Sequence, residues 1–177
     1  MTESQWASLL IVALSGILSA VAVLVFFWRR EEAERRRLLY QQVLQTTLPL
    51  RLQALERAAL FLERNDPNNL LPRLGPHTFQ RTADLVEQIF HIVQAEYLHN
   101  AAHQIYMGPA TWIALRTAKN ALFQYLQSTM VEHPPHQTSP LVWVEKFKEK
   151  WRAQNPDPFQ IALAQVHREM QLLAEIS

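Results

Sequence analysis

The run from Trp6 to Trp28 contains no charged side chain and is followed at once by Arg29 and Arg30. A helix rising about 1.5 Å per residue covers roughly 34 Å over that run, enough to cross a hydrocarbon layer of about 30 Å. One membrane span is therefore expected, with the rest of the chain polar enough to fold in water. Lys and Arg flanking a span stay on the cytoplasmic side. Glu3 is the only charged residue before the run, whereas Arg29, Arg30, Arg35, Arg36 and Arg37 follow it closely. The expected orientation is an outside amino terminus and a cytoplasmic domain. Trp6 and Trp28 mark the two ends of the run, where an amphipathic indole favours the headgroup layer. Ala20-Val21-Ala22 has the form of a signal-peptide cleavage site. No basic segment precedes the run, however, and it continues to Trp28, so retention as an anchor is expected. Ser15 with Ser19, and Gly16 with Ala20, would let a second helix, including a second copy of the chain, approach closely.

Composition removes several function classes. The chain has no cysteine, which excludes disulfides, thiolate metal sites and cysteine nucleophiles. It has 3 glycines, too few and too scattered for a phosphate-cradling loop. A formal charge of +1 gives no general case for nucleic-acid binding.

Beyond the run, periodicity is helical throughout and no alternating strand pattern appears. From Glu31 to Glu63, apolar residues at Leu38, Leu44, Leu48, Leu52, Leu55, Ala59 and Leu62 predict a long amphipathic helix. Pro49 predicts a kink or break near Thr47. Asp66-Pro67 reads as a cap and first turn. The stripe Phe79, Ala83, Val86, Phe90, Val93, Tyr97, Ala101 and Ile105 predicts a second helix. Trp112, Leu115, Ala118, Leu122, Tyr125 and Thr129 predict a third, packed antiparallel on the second across Gly108-Pro109. Ser139-Pro140 opens a short helix bearing Val144, Phe147 and Trp151, and Asp157-Pro158 opens a last one bearing Phe159, Leu163, Val166, Met170 and Leu173.

Three constellations bear on chemistry. Glu96, His99 and His103 sit at spacings of three and four, which places a carboxylate and two imidazoles on one side of a helix and suits a shared metal. The plainer reading is a polar helix flank. Arg35, Arg36 and Arg37 form a basic cluster of the kind that attracts anionic lipid, but Glu31 and Glu32 precede Arg35 and Arg36 by four and are expected to pair with them. Trp143 and Trp151 flank Lys146, Lys148, Lys150 and Arg152, giving a helix that either lies on a surface or closes the core with its aromatic face.

The segment Leu48-Pro49-Leu50-Arg51-Leu52-Gln53-Ala54-Leu55-Glu56-Arg57, with Leu60-Phe61-Leu62-Glu63-Arg64 and Asn68-Asn69-Leu70 after it, resembles a family of uncharacterised single-pass membrane proteins of Bacteroidetes-type bacteria. The resemblance extends to Leu74 and implies an inner-membrane setting without a catalytic residue. It draws attention to Arg51, Glu56, Arg57, Glu63 and Arg64 as a partner surface.

The expected architecture is all-α: an anchor over 1–28, a juxtamembrane amphipathic helix over 29–66 and a small helical bundle over 67–177. The expected function is a non-enzymatic, membrane-anchored interaction or scaffold protein. It needs no cofactor and binds no nucleic acid; its partner is a protein. The rival readings are a metal-binding regulator or metal-dependent enzyme built on Glu96, His99 and His103, and a sensor of anionic lipid surfaces.

Overall fold

The structure, a computed structural model, describes residues 3–175, without the side chains of 3–15, 17, 19, 20, 22, 33 and 40. Six α-helices account for the described fold: α1 (Glu3–Asn65), α2 (Pro67–Leu74), α3 (Thr82–Ala101), α4 (Pro109–Glu132), α5 (Pro140–Arg152) and α6 (Pro158–Ala174). Short 3-10 turns lie at Pro76–Thr78 and Gln104–Tyr106, and no strand occurs among the described residues. The all-α expectation holds.

The chain divides into two compact units, residues 1–47 and 48–177. The first consists of the leading part of α1. Its described side chains from Val21 to Thr46 are almost all exposed, including Val23, Leu24, Val25, Phe26, Phe27 and Trp28. Among the described residues no helix is long and apolar enough to cross a membrane. Most of the expected Trp6–Trp28 span, Trp6 included, lies outside the residues whose side chains are described. The arginine-rich stretch carries the expected pairs, Arg35 to Glu31 at 2.7 Å and Arg36 to Glu32 at 2.6 Å, with Arg30 to Glu34 at 3.5 Å.

The break expected near Thr47 is absent, since α1 passes through Pro49 as one helix. Proline removes the N–H that would bond the Gln45 carbonyl. Both Gln45 and Pro49 are exposed, so water can serve that carbonyl at little cost. The Thr46 and Thr47 hydroxyls donate back to the Gln42 and Val43 carbonyls at 2.9 and 2.8 Å, as hydroxyls inside helices do.

The second unit contains a single buried apolar cluster. Leu55, Phe61 and Leu62 of α1 meet Leu70 and Leu71 of α2, Leu85 and Ile89 of α3, Leu115 and Leu122 of α4, Trp143 and Phe147 of α5, and Phe159 and Val166 of α6. Helix α2 begins where the Asp66 carboxylate accepts the Asn68 N–H at 2.8 Å, with Pro67 in the first turn, and closes on Gly75. That glycine holds φ at +60°, a conformation without steric penalty only for glycine.

Helices α3 and α4 run antiparallel, because Phe90 packs on Phe123 while Tyr97 stacks on Trp112, one index rising as the other falls. Yet α4 packs chiefly on α6 and secondly on α5, and less on α3. The buried face of α3 is also rotated from the expected stripe. Thr82, Leu85, Val86, Ile89, Val93 and Asn100 are inside, whereas Ala83 is exposed and Ile105 is 76% exposed. The apolar band of this helix is wide, and the larger Leu85 and Ile89 win the interior over Ala83. The face of α4 is as expected, with Leu115, Ala118, Leu122 and Thr129 buried.

Helix α5 closes the core with its aromatic side. Trp143, Phe147 and Trp151 stack successively at 5.6 and 6.1 Å, and Trp151 meets Phe159 and Tyr125 edge-on. Trp143 and Trp151 are buried and are not available to a lipid surface. Asp157 caps α6 by accepting the Phe159 N–H at 2.8 Å.

Candidate functional site

Spacings of three and four place Gln53, Glu56, Arg57, Leu60, Phe61 and Arg64 along one side of α1. Ala95, Glu96, His99 and Asn100 form a corresponding row on α3. The two rows line a cleft of about 600 Å³ within the second unit. Side-chain contacts join its walls. Arg57 Nη1 lies 2.8 Å from His99 Nε2, Phe61 packs on Tyr97 at 6.2 Å, and the Asn65 amide donates to Glu96 Oε2 at 2.6 Å. An arginine can only donate, so His99 Nε2 accepts and its ring proton sits on Nδ1.

Two asparagines, Asn100 in the lining and Asn65 next to Arg64, are buried. Asn65 is 0% exposed and its Nδ2 also donates to the Phe61 carbonyl at 2.8 Å. Asn100 is 6% exposed and its Nδ2 donates to the Glu96 carbonyl at 2.8 Å. These acceptors fix the orientation of both amides, because a flip would set oxygen against oxygen. Asn65 Oδ1 and Asn100 Oδ1 are left buried without a hydrogen-bond partner.

This geometry separates the three residues expected to bind metal. Helix α3 ends at Ala101, so His103 falls past it in a turn, where its Nδ1 is buried and unpartnered. Glu96 is occupied by Asn65 and by Arg73 at 3.7 Å, His99 by Arg57, and the two imidazole rings stand 6.2 Å apart. Among the described residues no group of three histidines or carboxylates is placed to hold a metal ion. The helical register that motivated the trio does not extend to its third member.

The surface read from Arg51, Glu56, Arg57, Glu63 and Arg64 is divided as well. Glu56, Arg57 and Arg64 line the cleft, and Glu63 is exposed outside it. Arg51 turns instead to Glu169 of α6 at 3.2 Å. Glu169, which the sequence did not single out, is only 7% exposed. Its carboxylate accepts the Gly108 N–H at 2.7 Å and the Thr111 hydroxyl, closing the first turn of α4. A Cβ at Gly108 would stand 2.8 Å from Glu169 Oε2, so a side chain there would push the carboxylate out of place.

Beside the cleft, Lys119 Nζ lies 4.4 Å above the Tyr97 ring. Burial pushes the Tyr97 hydroxyl above the usual tyrosine range, with Arg116 opposing, and pushes Lys119 below the usual lysine range, with Arg116 adding to the shift.

Neither a curated protein nor a solved structure matches the chain. DUF7935, a family of unknown function, matches residues 4–173, and the protein is a member of that family.

Proposed function

We propose that this protein is a non-enzymatic binding module tethered to the bacterial inner membrane, with residues 6–28 in the bilayer and residues 48–177 folded at the cytoplasmic face. The observation that supports the anchor is the exposure of consecutive apolar side chains. Val23, Leu24, Val25, Phe26, Phe27 and Trp28 are between 43% and 73% exposed. Six successive residues point to all sides of a helix, so no single packing partner covers them, whereas lipid does. The arginines after Trp28 supply the orientation. The module acts by position: the tether raises the local concentration of the folded unit at the membrane, where it holds a partner protein.

The absence of cysteine makes the topology directly testable. Ser4→Cys is expected to react with an impermeant maleimide on intact spheroplasts, and Ser139→Cys only after permeabilisation. Equal reaction at both sites in intact cells, or recovery of the protein in the carbonate-soluble fraction, overturns the tether. A mild-detergent pull-down from native membranes should return a reproducible protein partner.

A further inference from the structure

We infer that α1 pairs side by side with α1 of a second copy of this chain, parallel and in the same register, along a seam within residues 11–46. The inference rests on the membrane tether proposed above. On that reading lipid covers residues 6–28, but it does not reach Leu39 and Val43. These lie about 16 and about 22 Å along the helix past Trp28, beyond the bilayer edge that Arg29 marks. Their own chain leaves them open as well, with Leu39 61% and Val43 57% exposed. Thr46 is exposed too, and its hydroxyl is already satisfied by the Gln42 carbonyl at 2.9 Å. Leu39, Val43 and Thr46 follow one another at spacings of four and three, which sets them on one side of α1 in the pattern of a two-helix seam.

What selects a second copy as the occupant is the period. Ile11, Leu18, Val25, Glu32, Leu39 and Thr46 recur every seven residues, and Ser15, Ala22, Arg29, Arg36 and Val43 recur every seven between them. The seam therefore passes from the bilayer into water without a change of register, and its occupant is a helix that crosses the same bilayer with the same period. A second α1 meets that condition, and a shared tether sets two copies parallel with their arginines level. The charges at the bilayer edge fit such a pair. A seam side chain in a parallel pair inserts among the facing residues one seam position before and after it. Glu32 of one copy then stands between Arg29 and Arg36 of the other, so opposite charges meet along the charged stretch of the seam. Ser15 and Ala22 are small enough to let the helices approach within the bilayer.

Because the chain has no cysteine, single cysteines report the seam. Val43→Cys is expected to give a disulfide-linked dimer of the full chain when native membranes are oxidised with copper phenanthroline. Gln41→Cys, exposed on the opposite side of the helix, is expected to give little or none. By light scattering in mild detergent, the full chain should show twice the protein mass of a Val43→Glu variant. The urea midpoint of residues 48–177 should stay unchanged in that variant, because Val43 is exposed and lies outside that unit. Equal cross-linking at positions 41 and 43 overturns the inference, as does a Val43→Cys product that holds a different protein in place of a second copy. Carbonate extraction of the same membranes reads the tether separately. Retention without any cross-link at position 43 removes the pairing and leaves the tether, whereas release from the membrane removes both.

Discussion

A carboxylate that is 7% exposed survives in a protein only where donors replace its water, and Glu169 collects three: the Gly108 N–H, the Thr111 hydroxyl and Arg51. Removing it leaves the Gly108 N–H and Thr111 without their acceptor. Glu169→Ala is therefore expected to cost about 2–4 kcal/mol, read as a lowered urea midpoint of the full chain in mild detergent. Arg51→Ala should cost about 1 kcal/mol or less, because Arg51 is 39% exposed and its contribution is screened. A larger loss from Arg51 than from Glu169 would contradict this account. Tyr97 gives a prediction in pH. Its folded value is raised by burial, so the folded state keeps the proton longer than the unfolded chain. The resulting stability is complete below the unfolded value of about 10 and is lost as pH rises through the folded one. Relative to Tyr97→Phe, the natural protein should lose stability as pH rises above about 10. The lowered Lys119 acts with the opposite sign in that range, but it is present in both proteins and drops out of the difference. None of these partnerships was legible in the sequence. Glu169 reaches residues 58, 61 and 118 positions away, and no local spacing signals such a contact.

Helices α4 and α5 were legible because each carries one narrow apolar row that the core accepts without alternatives, Leu115 to Thr129 in the first and Val144 to Trp151 in the second. Helix α3 was legible as a helix but not in its rotation, since apolar residues occupy more of its circumference than the core covers. The error at Pro49 was of another kind. Proline's cost depends on whether the freed carbonyl can reach water, and exposure is not written in the local sequence. Pro49→Ala should return an N–H to the Gln45 carbonyl. Slower hydrogen exchange through residues 46–50, with a gain of about 1–3 kcal/mol in local opening, is the expected result. The aromatic row of α5 supplies a complementary loss. Trp151→Ala removes a side chain that is 3% exposed and touches Phe147, Phe159 and Tyr125. A cost of about 3–5 kcal/mol is expected by urea denaturation followed through the fluorescence of buried Trp143.

At the scale of the whole molecule the two units differ in what holds them. Residues 1–47 have a helix without a described core, whereas residues 48–177 share one. A helical segment whose described side chains are almost all exposed opens readily. Limited trypsin digestion in detergent is therefore expected to cut first among Arg35, Arg36 and Arg37 and to leave a resistant fragment containing residues 48–177. Early cleavage at Arg116 or Lys119 instead would refute that ordering. The candidate site was half legible at this scale. Arg57, Arg64, Glu96 and His99 stood out in the sequence as members of two unrelated groups, and the fold brings them to one cleft. What hid the connection was that α1 and α3 are separate in sequence, and no local spacing signals that Arg57 meets His99 or that Asn65 meets Glu96. The pairing of α4 with α6 also sets an order of events during synthesis. Translation finishes α4 and α5 before it reaches α6, the helix on which α4 chiefly rests. Until then the face of α4 that meets α6 has no cover, and the Gly108 end of α4 has no carboxylate to close it. That interval exposes a sticky surface to chaperones and to neighbouring ribosomes' products, and it ends only when Glu169 has been made.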